Sequence, residues 1–166
     1  MVRYTMVMKV NSWEIQVHQY EDFADLEDPI ERELCQRSLL AQKDAYAPYS
    51  RFNVGAAILM SNGNIVTGSN QENAVFPLSL CAERVAVFSA NNLFPDDTIE
   101  KIAISTSTKS NDIAFPCGSC RQVLMEEELK IEKPIKLLIL GQTGQVIVVE
   151  STKDLLPFSF NAGFLK

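Results

Sequence analysis

Three cysteines constrain this chain more than any other feature. Cys117 and Cys120 form a Cys-x-x-Cys, Cys81 lies 36 positions upstream, and each group opens a segment that reads as a helix. Unpaired N–H groups give a helix N-terminus partial positive charge, which lowers a thiol's pKa and favours thiolate. Two such strand-to-helix junctions facing each other would gather three thiolates, a donor set suited to Zn²⁺. The set is one ligand short of a tetrahedron. Cys35 falls on a different helical stretch, and the single histidine, His18, lies in the N-terminal segment. Structural zinc sites are closed by four protein ligands, whereas three ligands with the fourth position left to water is the catalytic pattern. Glu83, two residues after Cys81, can reach such a water without binding metal. Arg84, three after Cys81, can donate to thiolate sulfur and draw charge off the metal, with Arg121 assisting from the second helix. The competing readings are a structural zinc pair, a redox Cys-x-x-Cys that leaves Cys81 without a role, and two disulfides.

Charge and the termini narrow the setting. With 15 Lys+Arg against 21 Asp+Glu the formal charge is −6, the opposite of the balance that gathers phosphates along a nucleic acid. The first residues offer no apolar stretch followed by a small-residue cleavage site, and no apolar run approaches the roughly 20 residues of a membrane span. A cytoplasmic protein with no membrane and no nucleic-acid partner is expected, and a reducing compartment disfavours the disulfide reading.

Along the chain, residues 7–20 read as one or two extended segments, with Trp13, Ile15 and Val17 alternating. Asp28-Pro29-Ile30-Glu31 is a helix start, Asp as N-cap and Pro at the first helical position, and the helix runs to about Tyr46. Phe52–Met60 and Ile65–Ser69 are strands joined by the hairpin turn Ser61-Asn62-Gly63-Asn64. Leu80–Asn91 is a helix capped by Ser79 or a neighbour, Ile99–Thr106 a buried strand, and Gly118–Leu129 a further helix. Ile135–Leu140 and Val146–Glu150 close the pattern, joined by a loop too short for anything but an antiparallel return. The prediction is an α/β layered domain with a five-stranded mixed sheet whose last two strands form a hairpin.

Cys81-Ala82-Glu83-Arg84 with Pro116-Cys117-Gly118-Ser119-Cys120-Arg121-Gln122 resembles the cytidine deaminase family in its compact, all-cysteine form. The likeness extends beyond the metal motif. Residues 45–57 resemble the family's first motif, Asn70-Gln71-Glu72-Asn73-Ala74 its nucleoside-binding segment, and Leu155-Leu156-Pro157 with Phe160 its C-terminal tail. The similarity covers roughly 28–166, leaving 1–27 as an N-terminal extension of unassigned role, and Phe76 stands where a tyrosine is common.

The resemblance implies a three-layer α/β/α fold and one Zn²⁺ per subunit held by Cys81, Cys117 and Cys120. Glu83 would be the proton shuttle. Phe52 would pack on the pyrimidine, Asn70 and Glu72 would hydrogen-bond the ribose 3′-hydroxyl, and Ala82 would line the substrate site. Phe160 would reach into a neighbouring subunit's site, which implies a homo-oligomer, a tetramer in the compact form. The implied reaction is hydrolytic deamination of cytidine and deoxycytidine in pyrimidine salvage. A carboxylate at Glu72 suits sugar hydroxyls and repels phosphate, which favours free nucleoside over nucleotide or polynucleotide. The alternatives are another zinc deaminase on the same fold, of the polynucleotide, guanine or blasticidin type, and a non-catalytic structural-zinc module.

Overall fold

A computed structural model describes residues 14–107 and 112–165. The expectation for residues 7–13, Trp13 included, lies outside them. Nine longer elements follow in order among the described residues: β1 (Val17–Tyr20), α1 (Pro29–Ala41), β2 (Val54–Met60), β3 (Ile65–Ser69), α2 (Ala82–Leu93), β4 (Ile99–Thr106), α3 (Gly118–Ile131), β5 (Lys136–Leu140) and β6 (Val146–Val149). They form a single sheet in the order β1-β6-β5-β4-β2-β3, with β4 and β5 parallel and every other pair antiparallel. The fold class is as expected. The strand count is not: the sheet has six strands rather than five. Val17–Tyr20 pairs with Val146–Val149, so part of the segment assigned to an extension is the edge strand of the sheet. That pairing joins residues about 130 positions apart, and no local pattern encodes it.

Alternation along β2 sorts the two core layers. Ala57 and Leu59 face α1, meeting Leu34 and Cys35, while Ala56 and Ile58 face α2 and α3, meeting Ala86, Val87, Ala90 and Leu124. Two glycines set how closely the layers approach. A Cβ at Gly55 would overlap the Ser38 carbonyl of α1, and one at Gly68 would lie 2.5 Å from Ala86 N and 2.7 Å from Ala82 O. Gly68 therefore seats α2 directly on β3, and with it the start of α2 that carries Cys81 and Glu83. Asp28 caps α1 through Ile30 N–H at 2.9 Å, as the sequence predicts.

Glu128 ties the far end of α3 to the sheet. Its carboxylate is 1% exposed and accepts from Ile135 N at 3.0 Å, Thr152 N at 2.7 Å, Thr152 Oγ1 at 2.9 Å and Ser151 Oγ at 2.5 Å. Burial pushes this carboxyl up, but the backbone and hydroxyl donors outweigh it and hold the pKa below the ordinary glutamate value. A group whose pKa falls on folding favours the folded state above its unfolded pKa of about 4.3, and that contribution is lost as pH falls through the lower folded value. Denaturant unfolding of wild type and Glu128→Gln should therefore differ by about 2–3 kcal/mol at pH 7 and converge in acid.

Candidate active site

The two helices that face the sheet beside β4 begin in the same way. Cys81 is the N-cap of α2 with φ −71° and ψ 154°, and Cys117 is the N-cap of α3 with φ −66° and ψ 164°. Neither thiol makes a capping hydrogen bond, so both sulfurs are free to point elsewhere. Of the caps expected for α2, Ser79 or a neighbour, the structure has the neighbour Cys81, while Ser79 Oγ accepts from Asn73 N at 2.9 Å. Cys120 sits one turn into α3 and is fully buried.

The three Sγ atoms lie within 4.8 Å of one another, with Cys81 and Cys117 3.9 Å apart. Zn–S bonds of about 2.3 Å at tetrahedral angles put sulfurs about 3.8 Å apart, so the spacing fits zinc and is far too long for a disulfide. Hydrogen bonding from Cys120 holds the Cys81 thiol down at about 5, with Arg84 and Cys117 adding to the effect against burial; the Cys120 thiol is correspondingly pushed up. Arg84 donates from Nη2 to Cys81 Sγ at 3.8 Å and to Ser79 O at 3.2 Å. Arg121 does not follow it. Its guanidinium donates to Pro116 O at 2.7 Å and to Leu155 O at 3.2 Å, fixing the turn before Cys117 and the C-terminal tail.

A cavity of about 440 Å³ opens over this cluster, within the range of small-molecule sites. Glu83 is in its lining, 4% exposed, with Oε2 buried and unpartnered among the described residues. Burial, helped by the neighbouring Cys81 charge, raises its pKa above the usual carboxylate value. Glu72, also in the lining, accepts from Tyr49 N at 2.9 Å and Ser50 N at 3.3 Å, and the Ser50 hydroxyl is the main cause of its lowered pKa. Phe52 lines the same wall, its loop clamped by Asn70: Oδ1 accepts from Val54 N at 2.8 Å, and Nδ2 donates to Phe52 O at 2.9 Å. Asn70 thus shapes the cavity as well as lining it.

Two of the expected substrate residues stand apart from this cavity. Ala82, the first residue of α2, has its side chain in the core. Phe160 is 60% exposed, stacks on Phe164 with centroids 5.8 Å apart, and gives its carbonyl to Gln122 Nε2 at 2.9 Å. Cavity residues that the sequence reading did not single out include Phe115 and Thr106. Thr106 alone could have been anticipated to face the helices, since it shares the parity of Ile102 and Ile104.

Residues 29–134 match the family model of the cytidine and deoxycytidylate deaminase zinc-binding region. The chain belongs to this family. It is 42% identical over 129 residues to a cytidine deaminase of Halalkalibacterium halodurans, covering 78% of this chain and 92% of that one. A cytidine deaminase of Mycobacterium tuberculosis is 38% identical over 123 residues, covering 72% and 81%. Among solved structures, cytidine deaminase from Burkholderia pseudomallei matches with a TM-score of 0.68 at 37% identity, over 77% of this chain and 97% of its own. That from Mycobacterium tuberculosis gives 0.61 at 35% identity, over 81% and 99%. The zinc-binding region of the family and the convergent thiols of this chain coincide.

Proposed function

We propose that this protein is a zinc-dependent cytidine deaminase, converting cytidine or deoxycytidine and water to uridine or deoxyuridine and ammonia. The observation that carries the reading is the buried, unpartnered Glu83 carboxylate lining a cavity beside three convergent thiols. Zinc held by Cys81, Cys117 and Cys120 supplies the Lewis acidity that makes water nucleophilic near neutral pH. Glu83 takes a proton from the attacking water and delivers it to ring N3, then takes the remaining hydroxyl proton at C4 and passes it to the amine, which leaves as ammonia as the C4 carbonyl forms. Its raised pKa suits a carboxyl that must both take and give a proton near neutrality. Arg84 neutralises part of the thiolate charge. The test is loss of cytidine ultraviolet absorbance with purified protein before and after chelation; activity that survives complete zinc removal sinks the reading.

The preferred substrate class in this reading is the free nucleoside. Glu72 stands with an ionised carboxylate at the sugar end, and no Lys or Arg lines the cavity among the described residues to receive a phosphate. Cytidine should exceed its monophosphate in kcat/KM by about 100-fold, and Glu72→Gln should narrow that gap by lowering cytidine turnover. Equal turnover of the two by the wild type would reject this preference.

The catalytic unit in this reading is residues 28–166, with Val17–Tyr20 added to the edge of its sheet, and the active form is a homotetramer. Exposed Phe76, Leu78 and Phe88 on α2 and the turn before it offer apolar surface for subunit contact, and exposed Phe160 is available to a neighbouring cavity. Light scattering should give four copies. Mixing Glu83→Ala chains with Phe160→Ala chains, each weakly active or inactive alone, should restore a fraction of wild-type activity; no restoration under subunit exchange rejects a shared site. No helix among the described residues is long and apolar enough to cross a membrane, in keeping with the cytoplasmic setting proposed for it.

A further inference from the structure

Three buried side-chain atoms lack a hydrogen-bond partner among the described residues: Glu83 Oε2, Arg84 Nε and Thr106 Oγ1. Leaving a buried hydroxyl unpaired costs free energy, so such an atom in a folded protein requires an explanation. Glu83 and Arg84 belong to the metal-side machinery. Thr106 does not.

Thr106 is the last residue of β4, 6% exposed, and pairs with Val54 across the β2–β4 ladder. Its parity along the strand matches Ile102 and Ile104, which puts its side chain on the α2/α3 face, and it lines the cavity with Ile104, Val54 and Phe52. The hydroxyls on either side are spoken for. Ser105 Oγ accepts from Gln42 Nε2 at 2.7 Å on the opposite face, and Ser107 Oγ accepts from Asn53 N at 2.8 Å. The backbone around Thr106 is held as well, since Ser107 N donates to Asn53 O at 2.8 Å. Both ends of the Asn70 amide are already engaged with the Phe52 loop. Thr106 thus adds a fixed, unsatisfied hydroxyl to a wall otherwise made of Phe52, Val54, Ile104 and Phe115.

We propose that Thr106 is a base-recognising residue of this site, its hydroxyl finding its hydrogen-bond partner on the pyrimidine of the bound nucleoside. The proposal rests on the deaminase reading above. It groups Thr106 with Phe52, the residue that packs on the pyrimidine in that reading, while Glu72 meets the sugar. In the free protein the hydroxyl is a small cost to stability; in the complex it becomes specificity, because a buried polar group rejects a ligand that leaves it unpaired.

Thr106→Val keeps the shape and removes the hydroxyl. The variant should melt at the wild-type temperature or above it, while kcat/KM falls by about 10- to 100-fold, by the same factor for cytidine and deoxycytidine. Thr106→Ser keeps the hydroxyl and should recover most of the activity. Three results would overturn the assignment alone, in an active wild type: kcat/KM within about twofold of wild type in Thr106→Val, unequal losses between the two sugars, or a destabilised or unfolded Val variant, which would mean the hydroxyl is structural. A wild type inert toward cytidine would overturn the deaminase reading, and this assignment with it.

Discussion

Replacing Glu83 by glutamine is expected to lower kcat on the order of 10⁴-fold while leaving zinc content near that of the wild type. Glutamine keeps the size of the side chain and a hydrogen-bonding oxygen, but it cannot take a proton from water or return one to the departing amine. Burial disfavours the ionised form of Glu83 by more than its own backbone N–H, Cys120 and Arg84 favour it, and Oε2 has no partner among the described residues. Neutralising it should therefore leave stability unchanged or raise it slightly, a separation of function from stability expected where an active site holds an unfavourable group. Metal analysis, thermal melting and a cytidine assay on the same preparation read all three quantities. A zinc-replete variant with wild-type turnover would remove Glu83 from the mechanism.

The second large effect belongs to Cys117. Cys117→Ala should lose most of the bound zinc and all measurable deamination, and lower the melting temperature toward that of chelated wild type. Cys117 is the informative choice among the three thiols because its side chain is exposed, whereas Cys120 is fully buried in α3. Truncating Cys120 would open a cavity and cost packing energy whatever the metal does. At Cys117 that contribution is absent, so any loss of stability reports the metal's link between the starts of α2 and α3. Binding that exists only in the folded state adds to folding free energy. If the apo wild type and Cys117→Ala melt together, well below the zinc-loaded wild type, the metal joins the two helices energetically. A Cys117→Ala protein that retains full zinc would exclude this thiol as a ligand.

The local chemistry of the site was legible because each part is set by a few consecutive residues. An Asp-Pro pair starts α1, Asn-Gly turns β2 into β3, and a cysteine ahead of each helix needs only that helix to become an N-cap thiol. Even the approach of Cys81 to Cys117 followed from chemistry, since three thiols ahead of or within helix starts form a donor set suited to one metal ion. Contacts between distant segments were less accessible. Arg121 lies one residue from Cys120, yet its hydrogen bonds run to Pro116 and to Leu155 in the tail. Asn70 reads as a pocket residue from its motif, but its hold on Phe52 and Val54 exists only where β3 leaves the sheet beside β2.

By itself, then, the sequence determined the layer architecture, the three thiols that converge and the carboxylate beside them, all of them consequences of periodicity, capping and ligand chemistry over short spans. Only the tertiary structure decided that Val17–Tyr20 closes the sheet as a sixth strand and that an unpaired Thr106 hydroxyl lines the cavity. The reason is the same in both cases. Strand pairing and hydrogen-bond satisfaction depend on which remote groups arrive nearby, and a residue's own neighbours in the chain do not carry that information.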